Sequence, residues 1–381
     1  MLGSQRALFD MPEDICWLNA AAYSPLPLTS RAAGERGIAR KVRPWEMEAD
    51  NAQRQFERAR AAAARLVNAD PSDIALIPSV SYGIATAGRV LPLPKGSRVL
   101  LLQDDHTSPV LEWMARATAA GATVEVVKQP SEGDWTAAVL GAIERAGPPL
   151  SIVSISAVHW SDGGNIDLRR VAPALRRQGA KLVVDATHAA GVMQMDVNEL
   201  DPDFLVFPTY KWVLGPYGRA FLYIAKRWHD GVPLEQTSAG RRSIDSETTP
   251  YLRDTAYVTG ARRFDMGERD HFITLEMAAI GMELMAGWGT EAITARLRML
   301  TGRLADGLRN SGATVPDSAV RAPHILSLGF PAGMPPRLVE RLAGQKVYVS
   351  RRLGRIRISP HVYNDADDID RFIDVFRSAV N

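Results

Sequence analysis

Through the middle of the chain, short and almost unbroken apolar runs alternate with stretches of helical pattern. IALIP (74–78), RVLLLQ (98–103), TVEVVK (123–128), LSIVSISAV (150–158), AKLVVDAT (180–187) and DFLVFP (203–208) read as strands. Their apolar positions are consecutive rather than alternate, the mark of strands covered on both faces. Between them, PVLEWMARATAAG (109–121) and DLRRVAPALRRQG (167–179) carry helical spacing. This alternation predicts an α/β fold with a mostly parallel sheet. Ahead of it, NAQRQFERARAAAARLVN (51–68) is built from strong helix formers and is closed by DPSD (70–73). Beyond about residue 260 the pattern changes to a smaller α+β unit. There, ITLEMAAIGMELMAGWG and TARLRMLTGRLADGLRNSG read as helices, ILSLGF and RIRIS as strands, and DADDIDRFIDVFRSAV as a closing amphipathic helix. The expected division is a large domain over residues 16–260 and a small one over 261–381, joined by the first 15 residues. No internal repeat or low-complexity linker is evident, so the two parts are expected to pack closely.

Composition narrows the function classes. The 381 residues are 46% hydrophobic and 23% charged, with a net charge of +2, ample for a globular core. No long basic run or basic-aromatic array accompanies the pI of 8.7, so nucleic acid is not an expected partner. Cys16 is the only cysteine, which excludes an intrachain disulfide and a cysteine-rich metal site. No HxxxH or CxxC spacing organises a metal, and no GxGxxG follows a strand. The N-terminal residues lack a signal-peptide layout, and a cytoplasmic location is the expectation. FLVFPTYKWVLGPYGRAFLYI (204–224) is long enough to span a membrane, but Lys211, Pro216, Arg219 and two glycines interrupt it.

Lys211 in that stretch raises the chemical question, because burial is costly for an ammonium and favours the neutral amine. In α/β sheets ligands sit beyond the carboxyl ends of the strands. Those ends carry Asp104-Asp105-His106, His159-Trp-Ser-Asp162, Asp185-Ala-Thr-His188 and Pro-Thr-Tyr210-Lys211. Pyridoxal phosphate accounts for such a pair: Lys211 would supply the amine, and Asp185 would keep the pyridine nitrogen protonated. The start of a helix at Ser79-Val80-Ser81, after IALIP, offers backbone N–H groups to a phosphate.

At this point VVDATHAAGV, TYKWVLGPYGRAFLYI, HWSDGGNIDL and RIRISPHVYNDADDID are seen to resemble the class V aminotransferases, a branch of the fold-type I pyridoxal-phosphate enzymes. The resemblance runs from LNAAAYSPLP at residue 18 to the last helix. It implies a seven-stranded, mostly parallel sheet, pyridoxal 5′-phosphate as cofactor, and an internal aldimine at Lys211. By motif position, Asp185 pairs with the pyridine nitrogen and His106 stacks on the ring. His188 and Asp162 lie near the ring O3′, where many relatives have glutamine and asparagine. Val80 and Ser81 hold the phosphate with Tyr210 close by, Arg357 grips the substrate carboxylate, and Asn19 borders the substrate pocket. The resemblance also implies a homodimer with its active site near the interface, although Gly267-Glu268 stands where many relatives have Gly-Thr.

The family includes transaminases, cysteine desulfurases, kynureninases, C–S lyases and an epimerase. The desulfurases place a cysteine on a loop that corresponds here to KVYVSRRLGRIRISPH, which is short and has none. The expectation is an aminotransferase acting on an amino acid, a small-molecule substrate whose free carboxylate Arg357 holds, with a lyase or epimerase as the alternative. SAGRRSIDSETTPYLRD (238–254), expected to reach the pocket, hints at a polar substrate.

Overall fold

The computed structural model describes residues 2–242 and 255–380, so residues 243–254 of the polar segment lie outside it. Seven strands form the central sheet. Their order across it is Ile74–Ile77, Ala220–Ile224, Phe204–Pro208, Lys181–Asp185, Leu150–Ser156, Arg98–Leu102 and Thr123–Val127. All are parallel except Ala220–Ile224, which runs against both neighbours. Six are the runs expected from the sequence. The seventh lies inside the stretch 204–224, which folds as a β-hairpin rather than one continuous element.

The strands are buried because helices cover both faces, including Val80–Val90, Thr107–Ala120 and Leu168–Gln178. Thr274–Trp288 packs on Leu28–Val42 and on Asn51–Val67. A three-stranded antiparallel sheet, Ser350–Arg352, Arg355–Ile358 and Leu326–Leu328, lies with Thr290–Gly307 and Ala366–Val380. The N-terminal segment joins this part of the molecule. Cys16–Trp17 pairs with Val347–Tyr348, and Asn19 bridges to Ser359.

Two devices fix the edge of the sheet that carries the chemistry. Asp265, fully buried, accepts from Leu76 N at 2.9 Å and from Arg60 at 2.8 Å, while Met266 N donates to Leu76 O. A buried carboxylate needs such partners, and here they pin the strand Ile74–Ile77. The second is close packing at Gly281, where an added Cβ would lie 2.3 Å from Val213 O. Only glycine lets the helix Thr274–Trp288 approach the loop after Lys211 so closely. Among the described residues, no helix is long and apolar enough to cross a membrane.

Candidate active site

Six parallel strands end on one edge of the sheet, and the segments leaving five of them enclose a cavity. The hairpin loop 209–219 forms one wall. Thr209 N donates to Arg219 O at 3.0 Å, Gly215 N donates to Thr209 O, and Thr209 Oγ1 donates to Pro216 O at 2.5 Å. The loop is thereby tied at its base, and Lys211 is aimed inward with 7% of its surface exposed.

Lys211 is held toward the neutral amine. Burial, with help from the positive Arg357, pushes its pKa down to about 7, against the opposing pull of Asp185. Its Nζ lies 3.4 Å from His188 Nε2. The Trp212 indole, which can only donate, gives its N–H to His188 Nδ1 at 2.9 Å. His188 is buried and its pKa falls well below the ordinary value, first through burial and then through Lys211 and Arg357. A neutral imidazole that accepts at Nδ1 carries its proton at Nε2. His188 therefore presents an N–H to the lone pair of Lys211. His324 Nε2 and His361 Nε2 contact His188 O and Trp212 O at 2.7 and 3.1 Å, locking the pair from beneath.

Asp185 ends its strand with 3% exposure, and Oδ1 accepts from Thr187 N at 2.9 Å. In the loop after the strand Arg98–Leu102, Asp105 is clasped by three donors. Oδ1 accepts from His106 N and Ser156 Oγ, both at 2.7 Å, and Oδ2 from Ser156 N at 3.1 Å. Burial still raises its pKa to about 6. This clasp sets the start of the helix Thr107–Ala120 and puts the His106 ring into the cavity, edge-on to Trp160 at 6.0 Å. Burial, first among the causes, and Lys211 lower the His106 pKa, while Asp185 opposes them.

The other end of the cavity is built for an anion. Ser79 caps the helix Val80–Val90 by accepting from Tyr82 N at 3.2 Å. The N–H groups of Val80 and Ser81, in the first turn, have no intrahelical acceptor. Ser81 Oγ meets Ser108 Oγ at 2.9 Å. Arg219, which the sequence reading had not placed in the site, lines this end too. The register that sets Ile77 opposite Ala220 puts Pro78 abreast of Arg219. The guanidinium is anchored by Thr274 Oγ1 at 2.7 Å and Asp270 at 3.6 Å, and touches Met266 Sδ. Tyr210 packs on Tyr217 and Tyr23, with ring centroids 4.4 and 5.8 Å apart.

A second cleft opens from the first and shares His106, Trp160, Tyr210 and Lys211 with it. Arg357 stands at its inner side, 1% exposed, donating from NH1 to Trp160 O at 2.5 Å. Its Nε has no acceptor, and no carboxylate pairs with it among the described residues. Burial and Arg352 lower its pKa to about 9. Asn19 does not line the cleft, but Ala21, Ala22 and Tyr23, just after it, do; Asn19 Oδ1 is buried without a partner.

Asp162 departs from its expected place near the ring. Its carboxylate accepts from Gln129 Nε2 at 2.7 Å, Trp135 Nε1 at 3.1 Å and Gly164 N at 2.7 Å, and it lines a neighbouring cleft instead. His159 Nδ1 lies 3.2 Å from it. The loop turns on Gly164, where an added Cβ would meet the Trp135 ring at 2.2 Å, and this brings the backbone N–H to Asp162. Glu268 is exposed, with φ of 48°, two residues beyond the Met266 that touches Arg219.

Residues 35–372 match the family model for aminotransferase class-V. The chain belongs to that family. It is 27% identical to an uncharacterized aminotransferase, YcbU, of Bacillus subtilis over 82% of this chain and 80% of that one. It is 26% identical to the isopenicillin N epimerase of Streptomyces clavuligerus over 94% and 93% of the two chains. The apo structure of a cysteine desulfurase from Thermococcus onnurineus NA1 superposes with a TM-score of 0.85, at 21% identity, over 98% of this chain and 97% of that one, which shows the fold. The class-V family comprises pyridoxal-phosphate enzymes, and the cavity fits that group. A neutral amine, a strand-end carboxylate and a first helical turn with free N–H groups face one space.

Proposed function

We propose that this protein is a pyridoxal-phosphate-dependent aminotransferase acting on an α-amino acid. Arg357 carries the reading: a buried guanidinium without an acidic partner among the described residues, in the same cleft as the Lys211 amine. Left alone such a charge is costly, and a substrate carboxylate relieves it through a bidentate, charge-assisted contact.

Pyridoxal phosphate, when bound, supplies an electrophilic carbon and an electron-withdrawing ring. The chain does the rest. Val80, Ser81 and Arg219 would hold the phosphate, and Asp185 would keep a proton on the ring nitrogen. Lys211, about half neutral at pH 7, is the nucleophile and then the base that moves the proton from the substrate Cα. His188 orients the Lys211 amine through its Nε2 proton. Arg357 would fix the substrate carboxylate and so hold the Cα–H bond in one orientation within the Lys211 cleft.

The test is to add single amino acids to holoprotein and follow the cofactor spectrum. A transaminase converts its cofactor once and stops until a keto acid is added. Continuous turnover without a keto acid would instead establish the lyase or epimerase alternative, which the match to the isopenicillin N epimerase along 94% of this chain keeps in view. Desulfuration through the chain's own thiol has no support: Cys16 is fully buried, donates to Asp368 O at 3.2 Å, and lines neither cleft.

We also propose a homodimer. Ile38, Val42 and Trp45 are exposed along and just after the helix Leu28–Val42, and Tyr23 and Tyr217 are exposed at the mouth of the site. A surface of that kind is covered in a symmetric pair.

A further inference from the structure

We propose that the substrate is an α-amino acid whose side chain ends in a carboxylate, and that Arg352 receives that second carboxylate. The inference rests on the amino-acid reading above and specifies its substrate.

Arg352 and Arg357 belong to one antiparallel hairpin. Ser350 is opposite Arg357, and Arg352 is opposite Arg355 across the turn at Leu353–Gly354. Arg352, two residues along from Ser350, is thus the same-face diagonal neighbour of Arg357, a relation that sets such positions about 7–8 Å apart. Both line the cleft that contains Lys211. Arg357 lies at its inner side, fully buried, and Arg352 is half-buried.

The charges in this cleft do not balance. Arg352 donates from NH1 to Arg351 O at 2.8 Å, and its guanidinium lies 5.9 Å from the Trp160 ring. Among the described residues no carboxylate forms an ion pair with Arg352 or with Arg357. Asp105, which also lines the cleft, has its oxygens committed to Ser156 and His106. The like charge of Arg352 adds to burial in lowering the pKa of both Arg357 and Lys211, as expected of neighbouring cations. One α-carboxylate satisfies one guanidinium fork. A second fork beside it, near the Trp160 ring, has no carboxylate among the described residues to pair with until the ligand brings another anion.

Trp160 ties the two positions together. Its carbonyl accepts from Arg357, and its ring faces both Arg352 and His106. A dicarboxylic amino acid laid along this wall would place its α-carboxylate on Arg357, its amino group toward Lys211, and its distal carboxylate on Arg352.

The experiment titrates holoprotein with L-aspartate, L-glutamate and L-2-aminoadipate, each against its side-chain amide, and reads half-saturation from the cofactor spectrum. The expected result is that at least one acid binds about 10- to 100-fold more tightly than its amide, as loss of a charge-assisted contact implies. In Arg352→Ala that ratio should collapse toward one, and Arg352→Lys should restore part of it. Arg357→Ala should weaken acid and amide together. Bound-cofactor absorbance of each variant checks that the fold is intact. Equal affinity for acid and amide in all three pairs, or a preference that survives in Arg352→Ala, overturns the proposal while leaving the amino-acid reading standing. No spectral response to any of the six compounds overturns both the proposal and its basis.

Discussion

The protonation of Lys211 gives a quantitative test of the site. With its pKa near 7, about 90% of the amine is neutral at pH 8, against about 0.3% for an ordinary lysine near 10.5. The reactive fraction is therefore roughly 300-fold larger than that of an exposed lysine. Apo-protein mixed with excess pyridoxal phosphate should capture it at a rate that climbs with pH and levels off above about 7. The charges facing Lys211 set the direction of two variants. Arg357→Gln removes a cation that lowers the pKa, so the inflection moves to higher pH; Asp185→Asn removes the charge that raises it, so the inflection moves lower. Stopped-flow absorbance reads all three profiles. A rate still rising tenfold per pH unit up to about pH 9 in the wild type would refute the depressed pKa.

The same shift has a thermodynamic counterpart. Between pH 7 and the ordinary lysine value the unfolded chain binds a proton that the folded one does not. Apo-protein stability therefore rises with pH across that window. The cost of burying Lys211 is fully present below about pH 7, where it approaches 5 kcal/mol as an upper bound, and it vanishes as pH climbs toward 10.5. Apo Lys211→Met should be more stable than wild type at pH 7, with the gap closing as pH rises. Denaturant unfolding at several pH values measures it, and a constant gap would contradict the linkage.

Asp185→Asn should keep the fold, shift the spectrum of bound cofactor and slow Cα proton transfer strongly; an unchanged spectrum with wild-type rates would remove Asp185 from the ring nitrogen. Arg219→Ala should weaken pyridoxal phosphate binding to apo-protein about 10- to 100-fold while changing pyridoxal binding little, and an equal effect on both would place Arg219 off the phosphate. Light scattering of active protein at micromolar concentration should give twice the chain mass, whereas an active monomer would refute the dimer.

How far the site could be read from the sequence depends on what each residue answers to. The six parallel strands were legible because both faces are covered, so their runs are continuous whatever lies beside them. The antiparallel strand Ala220–Ile224 was not, because the loop before it stays apolar: Trp212, Val213 and Leu214 are buried, Leu214 and Val213 with their carbonyls against Gly281. No polar turn marked the reversal. Lys211 and Asp185 were legible as polar groups at the ends of buried strands, where a charge has to have a reason. Arg219 looked like one more interruption of an apolar run, since its place beside Pro78 follows only from the antiparallel register. Trp212 read as packing, yet its indole N–H settles which nitrogen of His188 faces Lys211. Asp162 matched a motif position, but Gln129, Trp135 and Gly164, from three segments, compete for its carboxylate and turn it aside. Arg352 was hidden in RRLGRIRI, where four arginines look alike. Pairing distinguishes them: the register sets Arg352 on the face of Arg357, and the cleft that both line has no described carboxylate left to neutralise either one. A charge left without its counterpart inside a built cleft is a statement about the ligand, and only the folded chain can make it.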